Sequence, residues 1–486
     1  MTLKLYNTLT NTLDTFTPMQ AGVVSLYTCG PTVYNYLHVG NWSAYIYWDI
    51  LVRTLLFNGY SVNRVMNITD VGHLVSDEDE GEDKLEKGAR REGKTAWDIA
   101  KIYGDDFIAG MSKLNLITPQ HITKATDYIP EQLELVRTLR QRGYVYQIDD
   151  GLYFDTSKFP TYADFAGLDL AAQRAGARVE FNNEKRNASD FALWKFTPAG
   201  QARDMEWETP IDLLDTPDTP KMGFPGWHLE CSAMAMSILG STIDIHTGGI
   251  DHIPVHHTNE IAQSEAASGQ QFAHYWVHNN HLKVDGTKIS KSLGNGYTLE
   301  DLAVRGYTPL DYRMFVLQGQ YSNEGNFTFE NLTAAKNRLH NWRNIAALRH
   351  QTHGTISSDS AKLQEDATIS LLALSGALRE ALNNNLNTPE ALRLVDQAFA
   401  QFDGKTKQQI HQRGLTEALE AIDDLLGLQL LESTPDIDDD TKQTILERQQ
   451  ARDNKDWVKS DKLRDQLLTQ HIVLRDTASG PIWEYA

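Results

Sequence analysis

Four side chains in this chain are of metal-ligand type and sit where chemistry is possible: Cys29, Cys231, His256 and Glu260. His256 and Glu260 are four residues apart in a stretch, 255–267, that reads as a helix opened by Pro254, so both fall on one face. On an ordinary helix such a pair is usually a surface pair. Cys29 and Cys231, from two further elements, turn it into a set of two thiolates, an imidazole and a carboxylate. Thiolates with an imidazole select zinc, and the carboxylate makes the site mixed rather than a closed all-thiolate one. No Cys-x-x-Cys pair supports the set, and His252, His257, His278 and His281 compete for the imidazole position. Two cysteines in 486 residues exclude a disulfide framework and fit a reducing compartment.

Phosphate chemistry is the second theme. The stretch Tyr27-Thr-Cys-Gly-Pro-Thr-Val-Tyr-Asn-Tyr-Leu-His-Val-Gly-Asn41 joins a β-branched run at 23–28 to an apolar helical pattern at 42–56. Gly30, Pro31 and Gly40 punctuate this strand-to-helix turn and let backbone approach a ligand. The helix start presents free N–H groups and a partial positive charge, which suits a phosphate. Lys288-Ile-Ser-Lys-Ser292, in a Gly-containing loop after a strand, offers two ammonium groups for charge growing on a transferring phosphate. Five residues alone are equally a solvated basic loop.

The elements that must position these groups alternate. Strand, helix, strand and helix fill 1–125, with a second strand at 61–70 that ends in polar residues. An acidic stretch at 76–83 and a basic one at 84–94 read as a solvated loop and helix. Residues 126–205 are irregular, with strand-like pieces such as 152–156, and look like an insertion between two halves of an α/β domain. Pro210, Pro217, Pro220 and Pro225 mark 206–225 as a long loop returning to the core. A helix at 227–239, a strand at 243–249 ending in two glycines, the Pro254 helix and a strand at 275–284 complete the pattern. Alternation predicts a parallel sheet with ligands beyond the carboxyl ends of its strands. After about residue 330 the pattern is helical, with a polar loop at 350–359 and a linker at 432–440. Residues 441–486 read as one or two charged helices ending in a strand-like tail.

Length predicts roughly three domains. Acidic residues number 65 against 45 basic ones, a net charge of −20, which argues against non-specific nucleic-acid binding but leaves room for a local basic face. The N-terminus lacks a signal-peptide pattern and no apolar run approaches a membrane span, so the expected compartment is the cytoplasm, with no membrane partner.

Several of these motifs together resemble one family. Cys29-Gly-Pro-Thr-Val-Tyr34, His38-Val-Gly-Asn41, Gly226-Trp-His-Leu-Glu-Cys-Ser-Ala-Met234, His256-His-Thr-Asn-Glu-Ile-Ala-Gln-Ser264 and Lys288-Ile-Ser-Lys-Ser292 look like the cysteinyl-tRNA synthetases, class I aminoacyl-tRNA synthetases. Asn387-Thr-Pro-Glu-Ala-Leu392 resembles the family's anticodon-side helical domain, and the segment from Arg452-Asp-Asn-Lys-Asp-Trp457 to Trp483 its small C-terminal domain. The resemblance implies an α/β fold: a Rossmann-type catalytic domain in two halves (1–125 and 206–300), a connective insertion (126–205), a stem-contact segment (301–335), a helical bundle (336–430) and an anticodon-binding domain (441–486). It implies one zinc ion on Cys29, Cys231, His256 and Glu260, holding the substrate L-cysteine by its thiolate, and ATP with Mg2+ as co-substrate. Cysteine attacks the α-phosphate, and the adenylate then passes its acyl group to the 3′ end of tRNA(Cys).

By the same resemblance His38, Gly40 and Asn41 lie along the ATP phosphates, and Lys288 and Lys291 stabilise the transferring group. Gly248 and Gly249 let adenosine lie close to the backbone. Thr69, Trp227 and Asp251 line the amino-acid pocket, and Arg452, Trp457, Asp461 and Asp476 read the anticodon. No editing domain is expected, because a site demanding a thiolate rejects serine at the first step. A monomer is the expected state. Asn41 departs from the family's usual second histidine; it still donates a hydrogen bond but carries no charge. His252 and the acidic stretch are also unusual. Asn41 keeps open a paralogue that binds without catalysis, against which the intact lysine loop counts. A small-molecule cysteine ligase is a third reading, against which the helical segment and tail count.

Overall fold

The structure, a computed structural model, describes residues 2–72, 84–168, 183–198, 200–201, 203–216, 220–290, 293–351, 361–400, 402, 412–477 and 480–486. The acidic stretch 76–83, Lys291, Ser292 and residues 352–360 of the polar loop lie outside them.

Five parallel strands form the central sheet: Val23–Thr28 (β1), Ser61–Ile68 (β2), His121–Lys124 (β3), Ile243–Gly249 (β4) and Ala273–Asn279 (β5), in the order β5-β4-β1-β2-β3. β1 is largely and β4 almost wholly buried, as strands flanked by helices on both faces are, although β4 carries Asp244, His246 and Thr247 along its length. The order reverses between β1 and β4, so a crevice opens beyond their carboxyl ends at the switch point. Thr28 of β1 pairs with Thr247 of β4, which sets Cys29 beside Gly248. Three helices frame the crevice: Val39–Phe57 (α1), Trp227–Leu239 (α2) and Thr258–Ser268 (α3). No described helix is long and apolar enough to cross a membrane.

Between the two halves of this sheet lies a second one. Val145–Ile148, Gly151–Phe154, Phe191–Phe196, Trp207–Glu208 and Met222–Pro225 form an antiparallel sheet over the helix Ile129–Gln141, with a core of its own around Leu152, Phe154, Phe191 and Leu193. The region 206–225 is therefore not all loop. Pro210 and Pro220 lie outside the two short strands and Pro225 ends the second, so proline density hid the pairing.

Four further elements differ from expectation. The strand expected over 275–284 breaks at Asn280, and Leu282–Val284 pairs in parallel with Gly325–Phe327 instead. Behind Pro254 the chain first makes a wide π turn, Ile253–His257, and only then enters α3. At the N-terminus Lys4–Asn7 and Thr12–Thr15 form a hairpin too short to register as a pattern. Beyond Phe329 the helices Phe329–Ala347, Ala361–Asn383, Thr388–Ala400 and Gln412–Leu426 follow. The tail has two helices, Asp439–Asp453 and Trp457–Thr469, and an antiparallel hairpin, Ile472–Thr477 with Gly480–Tyr485, where a single strand-like piece was expected.

A buried ionic cluster holds α1 in place. Asp49 accepts hydrogen bonds from Arg53 Nε at 2.6 Å, from Arg313 and from the Ile117 N–H at 2.7 Å. Burial alone would raise the Asp49 carboxyl, but Arg313 and Arg53 outweigh it and hold it below its ordinary pKa. Its share of stability is therefore complete above an unfolded value of about 3.9 and fades as pH falls through the lower folded one. Asp49→Ala leaves two buried guanidiniums without their carboxylate and should cost about 3–5 kcal/mol, read as a lower midpoint in thermal and urea unfolding. Asp49→Leu combined with Arg313→Met should cost less; equal losses would show that charge pairing is not what the cluster contributes.

Candidate metal centre and nucleotide crevice

Cys29 follows the last residue of β1, Cys231 lies in the second turn of α2, and His256 and Glu260 come from the π turn and the first turn of α3. One donor atom from each lies within 4.8 Å of the other three, and all four residues are buried. Both thiols are free. The four residues selected from sequence thus converge. Glu260 Oε1 lies 2.9 Å from His256 Nε2 but is buried without a hydrogen-bond partner. A buried carboxylate oxygen left in that state is costly unless a cation faces it. Two thiols, an imidazole and this oxygen therefore fit a zinc ion by donor chemistry and by compactness.

The electrostatics are tightly coupled. The hydrogen bond from Cys29 lowers Cys231, while burial and the neighbouring Cys231 push Cys29 well above the ordinary thiol value. Burial works against a charged His256, but the Glu260 carboxylate and Cys231 outweigh it and pull the ring up to about 10. Glu260, despite burial, is held down to about 2 by His246 and His256.

Around this core stand histidines that sequence reading only partly found. His246 of β4, not singled out, places Nε2 2.9 Å from Glu260 Oε2. His228 Nδ1, also missed, lies 2.9 Å from His256 Nδ1. His257 Nε2 lies 3.4 Å from Cys29 Sγ, and its Nδ1 is 2.7 Å from His278 Nε2, whose Nδ1 is 2.7 Å from Thr8 Oγ1. Burial holds both His257 and His278 far below the ordinary histidine value, so this single file of rings is neutral. A second donor set, Cys29, His246, His257 and Glu260, is as compact as the first. Of the other competitors, His281 is exposed and outside the centre, whereas the His252 ring lies 5.1 Å from those of His256 and His257. One signal for His246 was available: a histidine in a buried strand two residues before the glycine pair.

The amino-acid residues divide. Trp227 lays its ring on His256 with centroids 4.3 Å apart. Thr69 Oγ1 donates to Glu230 Oε2 at 3.1 Å, a buried acid that the sequence reading passed over. Asp251 is exposed beside Gly249, where a Cβ would come within 2.3 Å of its Oδ1. At Gly248 a Cβ would lie 2.5 Å from the His257 ring. The Cβ directions of both glycines thus face side chains of this chain.

On the phosphate side His38 caps α1. Its Nδ1 accepts from the Asn41 N–H at 3.3 Å, and Asn41 Oδ1 accepts from the His38 N–H at 3.1 Å, a reciprocal capping box. Burial lowers the His38 pKa, which keeps the ring the neutral acceptor that a cap requires. The lysine loop folds back onto this helix end. Val39 N–H donates to Tyr297 O at 2.8 Å, and a Cβ on Gly40 would meet Ile289 Cδ1 at 2.8 Å. A larger residue there would make the Ile289 side chain shift. Lys288 is exposed in this loop.

In the tail Asp476 forms ion pairs with Arg452 at 3.0 Å and with Arg448, missed from sequence, at 2.8 Å. The Arg452 guanidinium sits 5.9 Å from the Trp457 ring, which is 56% exposed. Asp461 stands apart on Arg464 at 3.1 Å.

Comparison with known proteins bears on what this arrangement is. A family described as "tRNA synthetases class I (C) catalytic domain" matches residues 15–337. Cysteine–tRNA ligase 1 of Burkholderia lata is 43% identical over 99% of this chain and 96% of its own. Cysteine–tRNA ligase of Treponema denticola is 39% identical over the whole of both. Among solved structures, methionyl-tRNA synthetase of Mycobacterium tuberculosis bound by methionyl-adenylate superposes with a TM-score of 0.59 over 83% of this chain and 92% of that one, at 14% identity. A LeuRS–tRNA–LeuAMS complex of Agrobacterium radiobacter K84 gives 0.61 over 86% and 85%, at 12% identity. At such identities the two structures speak for the fold alone. The relatives and the matched catalytic domain carry more: the chain belongs to the cysteine–tRNA ligases, class I aminoacyl-tRNA synthetases.

Proposed function

We propose that this chain activates L-cysteine with ATP and loads it onto the 3′ end of tRNA(Cys), selecting cysteine through a zinc ion held by Cys29, Cys231, His256 and Glu260. The observation that carries this reading is the convergence of those four donors at the switch point of the sheet, beside a histidine-capped helix start. A zinc ion bound there would supply an anchor for the substrate thiolate that serine's hydroxyl cannot match. Trp227, stacked on His256, and Thr69, bonded to Glu230, wall the pocket and fix its polar groups. Asp251 at its mouth suits the substrate's ammonium group.

The remaining residues handle phosphate. The positive end of the α1 dipole lies at the crevice, where the Val39 and Asn41 N–H groups are held by Tyr297 O and the His38 ring and the capping box sets the direction of the helix start. Lys288, with Lys291, brings positive charge to the α-phosphate as the cysteine carboxylate attacks and pyrophosphate leaves. Gly40 lets the lysine loop close over that point. Gly248 and Gly249, at the end of β4, border the place for adenosine. In the tail, exposed Trp457 offers a stacking face for an anticodon base, with Arg452, Asp476 and Asp461 as hydrogen-bonding neighbours. Cytoplasmic location and action as a monomer complete the proposal.

Charging of total tRNA by purified protein with labelled cysteine and ATP tests it. Cysteine should be charged, serine rejected by about 10⁴ or more, and zinc removal should abolish charging. Cysteine-dependent ATP–pyrophosphate exchange without charging would point to another acceptor, and no exchange to a binding-only protein.

Asn41 makes a separate prediction. Asn41→Ala should slow pyrophosphate exchange on the order of 10²-fold, by analogy with loss of one preorganised donor. Asn41→His should be no faster than the parent, and a several-fold gain would refute adaptation at this position. In the tail, Trp457→Ala should leave pyrophosphate exchange unchanged and raise KM for tRNA by the equivalent of about 1–3 kcal/mol of stacking. An unchanged KM would remove Trp457 from the tRNA contact.

A further inference from the structure

We propose that the metal centre carries a second, overlapping donor set, Cys29, His246, His257 and Glu260, which retains the ion when Cys231 or His256 is lost. This rests on the zinc reading above and goes beyond it. The two sets share Cys29 and Glu260, and in each the donor atoms lie within 4.8 Å of one another.

Glu260 is built to face both ways. Its Oε1 lies 2.9 Å from His256 and its Oε2 lies 2.9 Å from His246, so one carboxylate serves either side. On the Cys29 side, His257 Nε2 is already 3.4 Å from the sulfur. His256 and His257 are also supported alike. A histidine that binds metal through one nitrogen normally has its other nitrogen fixed by a hydrogen-bond partner. His256 has His228 at 2.9 Å in that role, and His257 has His278 at 2.7 Å, itself held by Thr8. Gly248 adds a steric condition, because any side chain there would strike the His257 ring and push it from the centre.

The competing account makes His246 and His257 outer partners that orient Glu260 and Cys29 without ever taking the ion. The two accounts differ in how substitutions combine. An outer partner contributes about the same factor whichever ligands are present, on the order of 10–100-fold in affinity. A reserve ligand contributes little in the parent and much once a primary ligand is gone, which a double-substitution cycle resolves.

Zinc affinity would be measured on the full chain by competition with a chromophoric chelator, and retained zinc by elemental analysis after dialysis. Cobalt(II) substitution would report the number of thiolates through its charge-transfer band. Cys231→Ser and His256→Ala should retain stoichiometric metal, with affinity lowered about tenfold, whereas Cys29→Ser, common to both sets, should lose it. His257→Ala alone should lower affinity by about tenfold or less, but in the Cys231→Ser background by about 10³-fold. Cobalt-loaded Cys231→Ser should keep a charge-transfer band of reduced intensity. Should Cys231→Ser fail to fold by circular dichroism, His256→Ala with and without His257→Ala makes the same comparison. Losses that combine as the product of the single losses, or Cys231→Ser as empty as Cys29→Ser, would overturn the reserve set while leaving the primary site intact. A parent chain that binds neither zinc nor cobalt would remove both.

Discussion

A carboxylate with no access to water, Glu260, is the constraint on which the catalytic half of this protein turns. Moving an ionised carboxylate out of water costs many kcal/mol unless charged or hydrogen-bonding groups face it. Here the compensating groups come from two places: His246 from β4 and His256 from the turn before α3, with the cysteine pair crowding the same carboxylate. None can be moved independently. The register of β1 against β4 sets Cys29 opposite the glycines, and Gly248 leaves space for His257. The parallel order of the sheet therefore supplies the crevice, and the need to compensate a buried charge fills it with donors.

How far this was legible in the sequence follows from the same physics. β1 and β4 were read with the ends they have, because β-branched and aromatic residues fill β1 and a glycine pair closes β4. The convergence of Cys29, Cys231, His256 and Glu260 followed from the family resemblance, since spacing alone left four other histidines in competition. His228 and His246 were not legible as partners: each sits in a helix or strand whose pattern they do not interrupt, and only the folded neighbours give them a role. The π turn behind Pro254 was hidden too, since one extra residue in a turn leaves the helical spacing of 258–268 intact. In the region 206–225, read as a loop, the strands around Gly223 were hidden by the density of prolines. Arg448 was missed because an arginine in a charged helix looks solvated until Asp476 arrives from the hairpin beyond.

Asn41 shows a departure from a family pattern acquiring a local reason. At the third position of α1 its side chain reaches back to the His38 N–H, while His38 accepts from the Asn41 N–H. Asparagine does this without bringing a charge of its own to the helix start. The lysine loop is tied to the same helix end by Tyr297 and by Ile289 seated over Gly40. The cap and the loop are consequently one assembly.

The far end of α1 extends the argument to the whole molecule. Arg53 donates to the carbonyls of Asp423 and Asp424 at 3.1 and 3.2 Å, and Arg313 donates to the Leu426 carbonyl at 2.7 Å. These carbonyls lie at the carboxyl end of the helix Gln412–Leu426, where main-chain acceptors lack helical partners and the helix dipole favours a cation. The chain then turns through Gly427 at φ +64°, where a Cβ would come within 2.5 Å of Arg313. Asp49 joins both guanidiniums from α1 itself. Arg313 lies in the helix Pro309–Leu317, which follows the lysine loop in sequence. The helix that begins at His38, the segment behind the lysine loop and the last helix of the bundle thus share one buried set of charges. Any displacement of the bundle must either break those bonds in a place without water or carry α1 with it. The first is expensive, so the second is the lower-energy path by which the helical bundle and the crevice are mechanically joined.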